Sequence, residues 1–292
     1  MLSSLFLTVL LAAAQPAPSI LLPAQPVGEP MDCNGAVFKA QIFNDDVECR
    51  EISRSKLKVG DQTITMRLLH DDEEDASLPP GYAEAAYEAI ARSFEIAAKE
   101  RKLNFHNVSI LPVEAYGQRR EARMSGVTYW RGKAECVIAL EVVTASRIAP
   151  EDNLLMFKFI VAHEAFHCVQ SWNWSHQMAL DSSAWWREGS ADLIGMLAYP
   201  GFTAQSKVNQ GFAEIADAKS VLQMDYGNVV FFYWLWSQSP QKVFDLIAAM
   251  PRDKAYDTMA SQEAALQAFL PQDAPAQYAA AYRGARIFAS AH

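Results

Sequence analysis

Two histidines and a glutamate inside one apolar stretch, Phe157–Gln170 (FKFIVAHEAFHCVQ), are the residues of this chain best placed for chemistry. His163 and His167 are four apart, so on a helix they project from one face, one turn from each other. Both imidazoles can then reach a single tetrahedral metal at about 2.0–2.1 Å. Glu164, beside the first histidine, can face a metal-bound water without ligating the metal. The His-Glu-x-x-His arrangement reads as zinc hydrolysis, with the glutamate as general base. Its surroundings matter. Apart from the motif itself, Leu154 to Cys168 is apolar almost throughout, Lys158 being the one basic interruption. A helix that is apolar all round is buried, and three ionisable groups in one buried turn need a partner. A metal serves all three.

A second segment, Ser183–Leu197 (SAWWREGSADLIGML), supplies what the first lacks. Twenty residues, 168–187, separate His167 from Glu188, enough for a reversal and a second helix beside the first. Glu188 is then a natural third ligand, and a His-His-Glu set leaves the fourth zinc position open to water or substrate. Asp192, one helical turn further on, can accept the free ring N–H of His163, fixing its tautomer and raising its basicity. The competing reading makes Arg187, Glu188 and Asp192 a solvated face. Trp185, Trp186, Leu193, Ile194 and Leu197 count against it, because they mark a largely buried helix.

His163-Glu164-x-x-His167 followed by Trp185-x-x-Glu188-Gly189-x-Ala191 resembles the gluzincin metallopeptidases, the thermolysin-like group with His, His and Glu ligands. The match covers roughly residues 157–199. The resemblance implies a zincin-like α+β fold: a mixed, sheet-bearing upper lobe, a mainly α-helical lower lobe and the metal helix between them. It also implies peptide or protein substrates lying along the cleft, paired with the edge of a strand at Cys136–Val143. A tyrosine from a later helix holds the oxyanion in related enzymes, which makes Tyr226 the first candidate donor; His176 is the alternative. No glycine-rich motif for gripping a free amino terminus is evident, which favours endopeptidase action. A zinc-retaining peptide-binding protein without turnover, a zinc hydrolase of non-peptide amides and a purely structural zinc staple are the competing functions. The structural staple needs a fourth protein ligand.

The elements that must position these residues follow from periodicity. Ala36–Phe43, Gln62–Leu69, Val108–Ala115 and Cys136–Val143 read as strands. Tyr82–Lys102 has helical spacing at Ala86, Ile90 and Phe94. The metal helix is expected to start near Pro150-Glu151-Asp152, where proline and acids suit a helix N-terminus. Ser171–Ser183 reads as a polar connection. Helices are expected near 184–198, 206–222, 227–238, 240–249, 261–269 and 275–289. The division is an α+β lobe over 32–172 and a helical lobe over 173–292.

At 292 residues, 51% hydrophobic and 20% charged, the chain is globular and long enough for a substantial core. Its net charge of −9 argues against nucleic acid as partner. Residues 1–14 resemble a secretory signal: the apolar stretch Leu5–Ala14 is too short for a ~30 Å bilayer and ends in small residues, though a basic n-region is missing. Gln15–Pro30, with five prolines, reads as an extended linker, placed over 15–31. The expectation is a secreted or periplasmic protein with one zinc ion and no membrane anchor. Four cysteines allow two disulfides in any of three connectivities, of which Cys33–Cys49 with Cys136–Cys168 is the local pairing, or buried free thiols. The acidic run Asp71–Asp75 reads as a solvated loop rather than a calcium site. Asn107 and Asn173 head Asn-x-Ser sequons.

Overall fold

A two-residue corner, Gly60-Asp61, joins the first long pair of strands. Gly60 has φ 59°, the left-handed conformation that tight hairpins demand. In the computed structural model, which describes residues 30–32, 48–71, 78–113, 125–131, 135–141, 150–201, 216, 219–224, 226–282 and 285–288, strands β2 (Glu48–Val59) and β3 (Gln62–Asp71) pair antiparallel around it. Leu57, Val59, Ile64, Met66 and Leu68 turn inward in alternation, as a half-buried hairpin requires. The short strand β1 (Pro30–Asp32) pairs with the far side of β2, so the expected linker gives up its last two residues to the sheet.

Helix α1 (Tyr82–Glu100) carries the chain from β3 to β4 (Asn107–Val113), which is parallel to β3. Its apolar stripe, Ala86, Ile90, Phe94 and Ala97, is fully buried. Next come β5 (Ser125–Arg131) and β6 (Glu135–Glu141). Strand β6 inserts between β4 and β5, giving a six-stranded mixed sheet of order β1-β2-β3-β4-β6-β5. This corrects one expectation. The strand at Cys136–Val143 is flanked on both sides, parallel to β4 and antiparallel to β5, so it has no free edge. Among the described residues, the rim on that side is β5.

Helix α2 (Pro150–Met178) packs against α1, β5 and β6. It runs through the segment expected to be a polar connection, with one non-helical residue at Trp174 (φ −138°, ψ 36°). The reason is tertiary. Ser171, Trp174, Gln177 and Met178 all bury, and Trp174 stacks on Phe244 with ring centroids 6.3 Å apart. Burial overrides the polar look of the local sequence. A 3₁₀ turn (Asp181–Ser183) then leads into α3 (Ala184–Ala198). After it come α4 (Val229–Gln238), α5 (Gln241–Ala249), α6 (Met259–Phe269) and α7 (Ala274–Ala281). The fold is α+β.

Most of the expected helix at 206–222 lies outside the described residues, and its end, Val221–Gln223, is a 3₁₀ turn with a Ser220/Gln223 capping box. The helix expected over 275–289 stops at Ala281, and Arg286 instead bridges to Ser220. The signal segment 1–14, the strand Ala36–Phe43, Cys33 and the acidic run beyond Asp71 also lie outside the described residues. Both sequon asparagines are committed internally. The Asn107 side-chain oxygen accepts the Thr65 N–H at 2.8 Å, and the Asn173 amide donates to the Asn104 and Val169 carbonyls at 3.0 and 2.9 Å.

Candidate metal centre

The centre is built by two adjacent helices. On α2 every residue from Val161 to Gln170 is buried, so the motif histidines sit in the core of the helix packing. On α3, two glycines allow close approach. A Cβ at Gly195 would lie 2.9 Å from the Phe159 ring of α2, and one at Gly189 only 2.2 Å from Asn228 Oδ1. The small residues therefore let α3 nest against α2 on one side and the start of α4 on the other, which carries Glu188 to the histidines.

Three atoms converge there. His163 Nε2 and His167 Nε2 are 3.0 Å apart, and Glu188 Oε2 lies 3.4 and 3.3 Å from them. Two ligands on a tetrahedral zinc at about 2.05 Å are separated by about 3.3 Å. The triangle thus has the dimensions of one face of such a tetrahedron. Among the described residues it is the one group of His, Cys, Asp and Glu side chains that could hold a metal ion, and it contains three donors.

The far ring nitrogens decide what the near ones are. His163 Nδ1 lies 2.7 Å from Asp192 Oδ1, which can only accept, so the proton is on Nδ1. His167 Nδ1 donates to Gln170 Oε1 at 2.7 Å. In the neutral rings, both Nε2 lone pairs then face each other and a carboxylate oxygen. Three acceptors at 3.0–3.4 Å with no donor between them repel unless a cation or proton sits at their centre. The set fits a divalent metal. The same conflict is visible in the charge preferences. Burial disfavours charge on His163, but the Asp192 carboxylate, Glu188 and Glu164 outweigh it and raise its pKa well above the ordinary imidazole value. Burial likewise opposes a charge on Glu188, yet the two imidazoles, when they carry a proton on Nε2, hold its carboxyl well below the usual range.

Glu164 is 6% exposed and close enough to His163 to bias its charge. The Glu188 side chain is 23% exposed, against 9% and 10% for the histidines, so the centre opens to solvent on the α3 side. Tyr226 lies in the 3₁₀ turn Tyr226–Asn228, immediately before α4; its side chain lies outside what the structure describes. His176 is exposed in the last turn of α2, beyond Trp174. It is not among the three side chains that converge. The structure does not bring it to the centre.

Sequence reasoning missed four contributors. Gln170 and Ser190 link the helices, and Arg187 Nε donates to Glu188 Oε1 at 3.2 Å, steadying the oxygen that does not face the histidines. Asn228, fully buried, donates to the Trp185 carbonyl and, at 3.1 Å, to the Met224 carbonyl, tying α4 to the start of α3. Only Gln170 had a readable signal: it lies three residues after His167, on the same face of the helix.

No family model matches the chain, and no curated protein matches it. Among solved structures it is similar to the M1 zinc metallopeptidase of Deinococcus radiodurans, at 12% identity and a TM-score of 0.43 over 83% of this chain and 52% of that one. A mutant of that peptidase bound to a Tyr-Ser-Ala substrate gives 12% identity and a TM-score of 0.41 over the same shares. The chain thus spans about half the length of these structures. What the centre can do rests on its own residues.

Proposed function

We propose that this chain is an exported zinc-dependent peptidase acting within peptide chains, with His163, His167 and Glu188 as ligands and Glu164 as general base. The observation that carries the reading is the triangle of three acceptors at 3.0–3.4 Å with a buried carboxylate, Glu164, beside it. A zinc ion bound there supplies a Lewis acid and a water acidified toward a pKa of ~7. Glu164 takes the proton from the attacking water and passes it to the departing amine. Asp192 holds the His163 ring in its ligating tautomer. Tyr226 is the proposed donor to the developing oxyanion. The zincin-like arrangement of a sheet-bearing lobe over 32–172 and a helical lobe over 173–292 belongs to the same proposal. An extended substrate would pair with β5, not β6, because β5 has its outer side unpaired among the described residues. Among the described residues no helix is long and apolar enough to cross a membrane.

The test is paired: zinc content, then cleavage of a broad peptide library by wild type and Glu164→Gln. The variant is expected to keep its zinc and lose about 10²–10⁴-fold in rate, as removal of a general base does. Full zinc occupancy with no cleavage of any peptide would favour the binding-protein reading. Protein that neither contains zinc nor takes it up would overturn both.

A further inference from the structure

The second imidazole is held by an uncharged side chain of its own helix, and that side chain also grips the neighbouring helix. Gln170 is fully buried. Its amide nitrogen donates to the Arg187 carbonyl at 2.9 Å and to Ser190 Oγ at 2.8 Å, both on α3. Ser190 sends its own hydroxyl proton to the Trp186 carbonyl at 2.7 Å, so toward Gln170 it acts as acceptor. The amide therefore has one sensible direction. Turned over, its oxygen would face the Arg187 carbonyl and its NH₂ would face the ring N–H of His167, two like-with-like contacts in a dry interior.

We propose that Gln170 is a positioning residue of the metal centre, which holds His167 in the Nδ1–H tautomer and sets the spacing of α2 against α3. The proposal rests on zinc being the ion held there. A single chain of bonds runs from the His167 ring through the Gln170 amide to the backbone of Arg187, the residue before Glu188. Two ligands on different helices are thereby fixed relative to each other by one side chain. The two histidines are also held differently: His163 by a carboxylate and His167 by a neutral amide. Without Gln170, the His167 ring is free to turn, or to carry its proton on Nε2, where it cannot ligate.

The experiment measures zinc affinity by chelator competition and the visible spectrum of the cobalt-loaded protein, for wild type, Gln170→Leu and Gln170→Glu. Gln170→Leu keeps the bulk and loses the acceptor; zinc affinity should fall about 10- to 100-fold and the cobalt bands should shift. Gln170→Glu keeps an oxygen for His167 but sets another against the Arg187 carbonyl. It should therefore lose thermal stability and the grip on α3 while still orienting His167, so that zinc affinity falls by only about three- to tenfold, clearly less than in Gln170→Leu. A folded Gln170→Leu with wild-type affinity and spectrum overturns the proposal, as does Gln170→Glu losing affinity to the same extent as Gln170→Leu. If Gln170→Leu does not fold, zinc-loaded wild type with ¹⁵N-labelled histidine decides. A solvent-shielded Nδ1 proton on His167 supports the proposal, and a rapidly exchanging one overturns it. Wild type that binds no zinc removes the proposed function together with this inference, whereas zinc bound indifferently to Gln170 removes this inference alone.

Discussion

Single side chains do most of their work here by fixing protons and helix ends. Asp257 shows the second kind. Its carboxylate accepts the backbone N–H groups of Asp181 and Ser182 at 3.0 and 2.9 Å, in the turn that delivers the chain into α3. Those hydrogen bonds, with a smaller contribution from Lys254, lower its pKa below the ordinary value of 3.8. Folding thus favours the ionised form. The stabilisation is complete above the unfolded value near 3.8 and disappears as pH falls through the lower folded value. Asp257→Asn should lower Tm by a constant amount at neutral pH, and the gap to wild type should close in acid as pH falls below the ordinary carboxyl value. Thermal scans across pH check this; a gap that persists in acid would mean that the carboxylate charge is not what matters.

At the scale of elements, α3 is the critical piece, because Glu188 and Asp192 reach the histidines only if it sits close to both α2 and α4. A Cβ at Gly189 would meet Asn228 Oδ1 at 2.2 Å and the Phe232 ring at 2.7 Å. Gly189→Ala gains about 1 kcal/mol in helix propensity, but overpacking and the displaced Asn228 cost more, about 2–3 kcal/mol. A net destabilisation of about 1–2 kcal/mol in urea titration is expected, and a stabilised variant would show that the helices are not in close contact. The meeting of α2 with α3 was legible in the sequence because the donors sit at helical spacings on apolar backgrounds. Helix α1 was legible for the same reason. What escaped was set by partners distant in sequence. The polar residues after Gln170 look like a loop, and only the burial of Trp174 against Phe244 keeps them helical. Strand β5 drew no notice, and without it β6 looked like a rim. Arg187 entered only the competing reading of a solvated face, and no role was read for it, yet its guanidinium Nε steadies Glu188.

Across the whole molecule, one covalent bond ties the sheet to the centre. Cys136 on β6 and Cys168, the residue after His167, form a disulfide with Cα atoms 5.8 Å apart, settling what the sequence leaves open for this pair. It closes a loop with a sequence separation of 32, which constrains the unfolded chain by about 3–4 kcal/mol. Cys136→Ala with Cys168→Ala should therefore lower Tm by several degrees, read by calorimetry against the oxidised parent. An unchanged Tm would mean that the bond adds no stability beyond the packing of β6 on α2. The parallel pairing of β3 with β4 has another consequence, for the order of assembly. That pairing joins Met66 to Val108, residues 42 apart, through a crossover helix. The three residues that could hold a metal span only His163 to Glu188, inside one helical hairpin. Loop-closure entropy rises with separation, and low-contact-order pieces form first. The donor triangle therefore closes more readily than the β3–β4 crossover, and a metal present during folding would meet a nearly complete binding face before that crossover has closed.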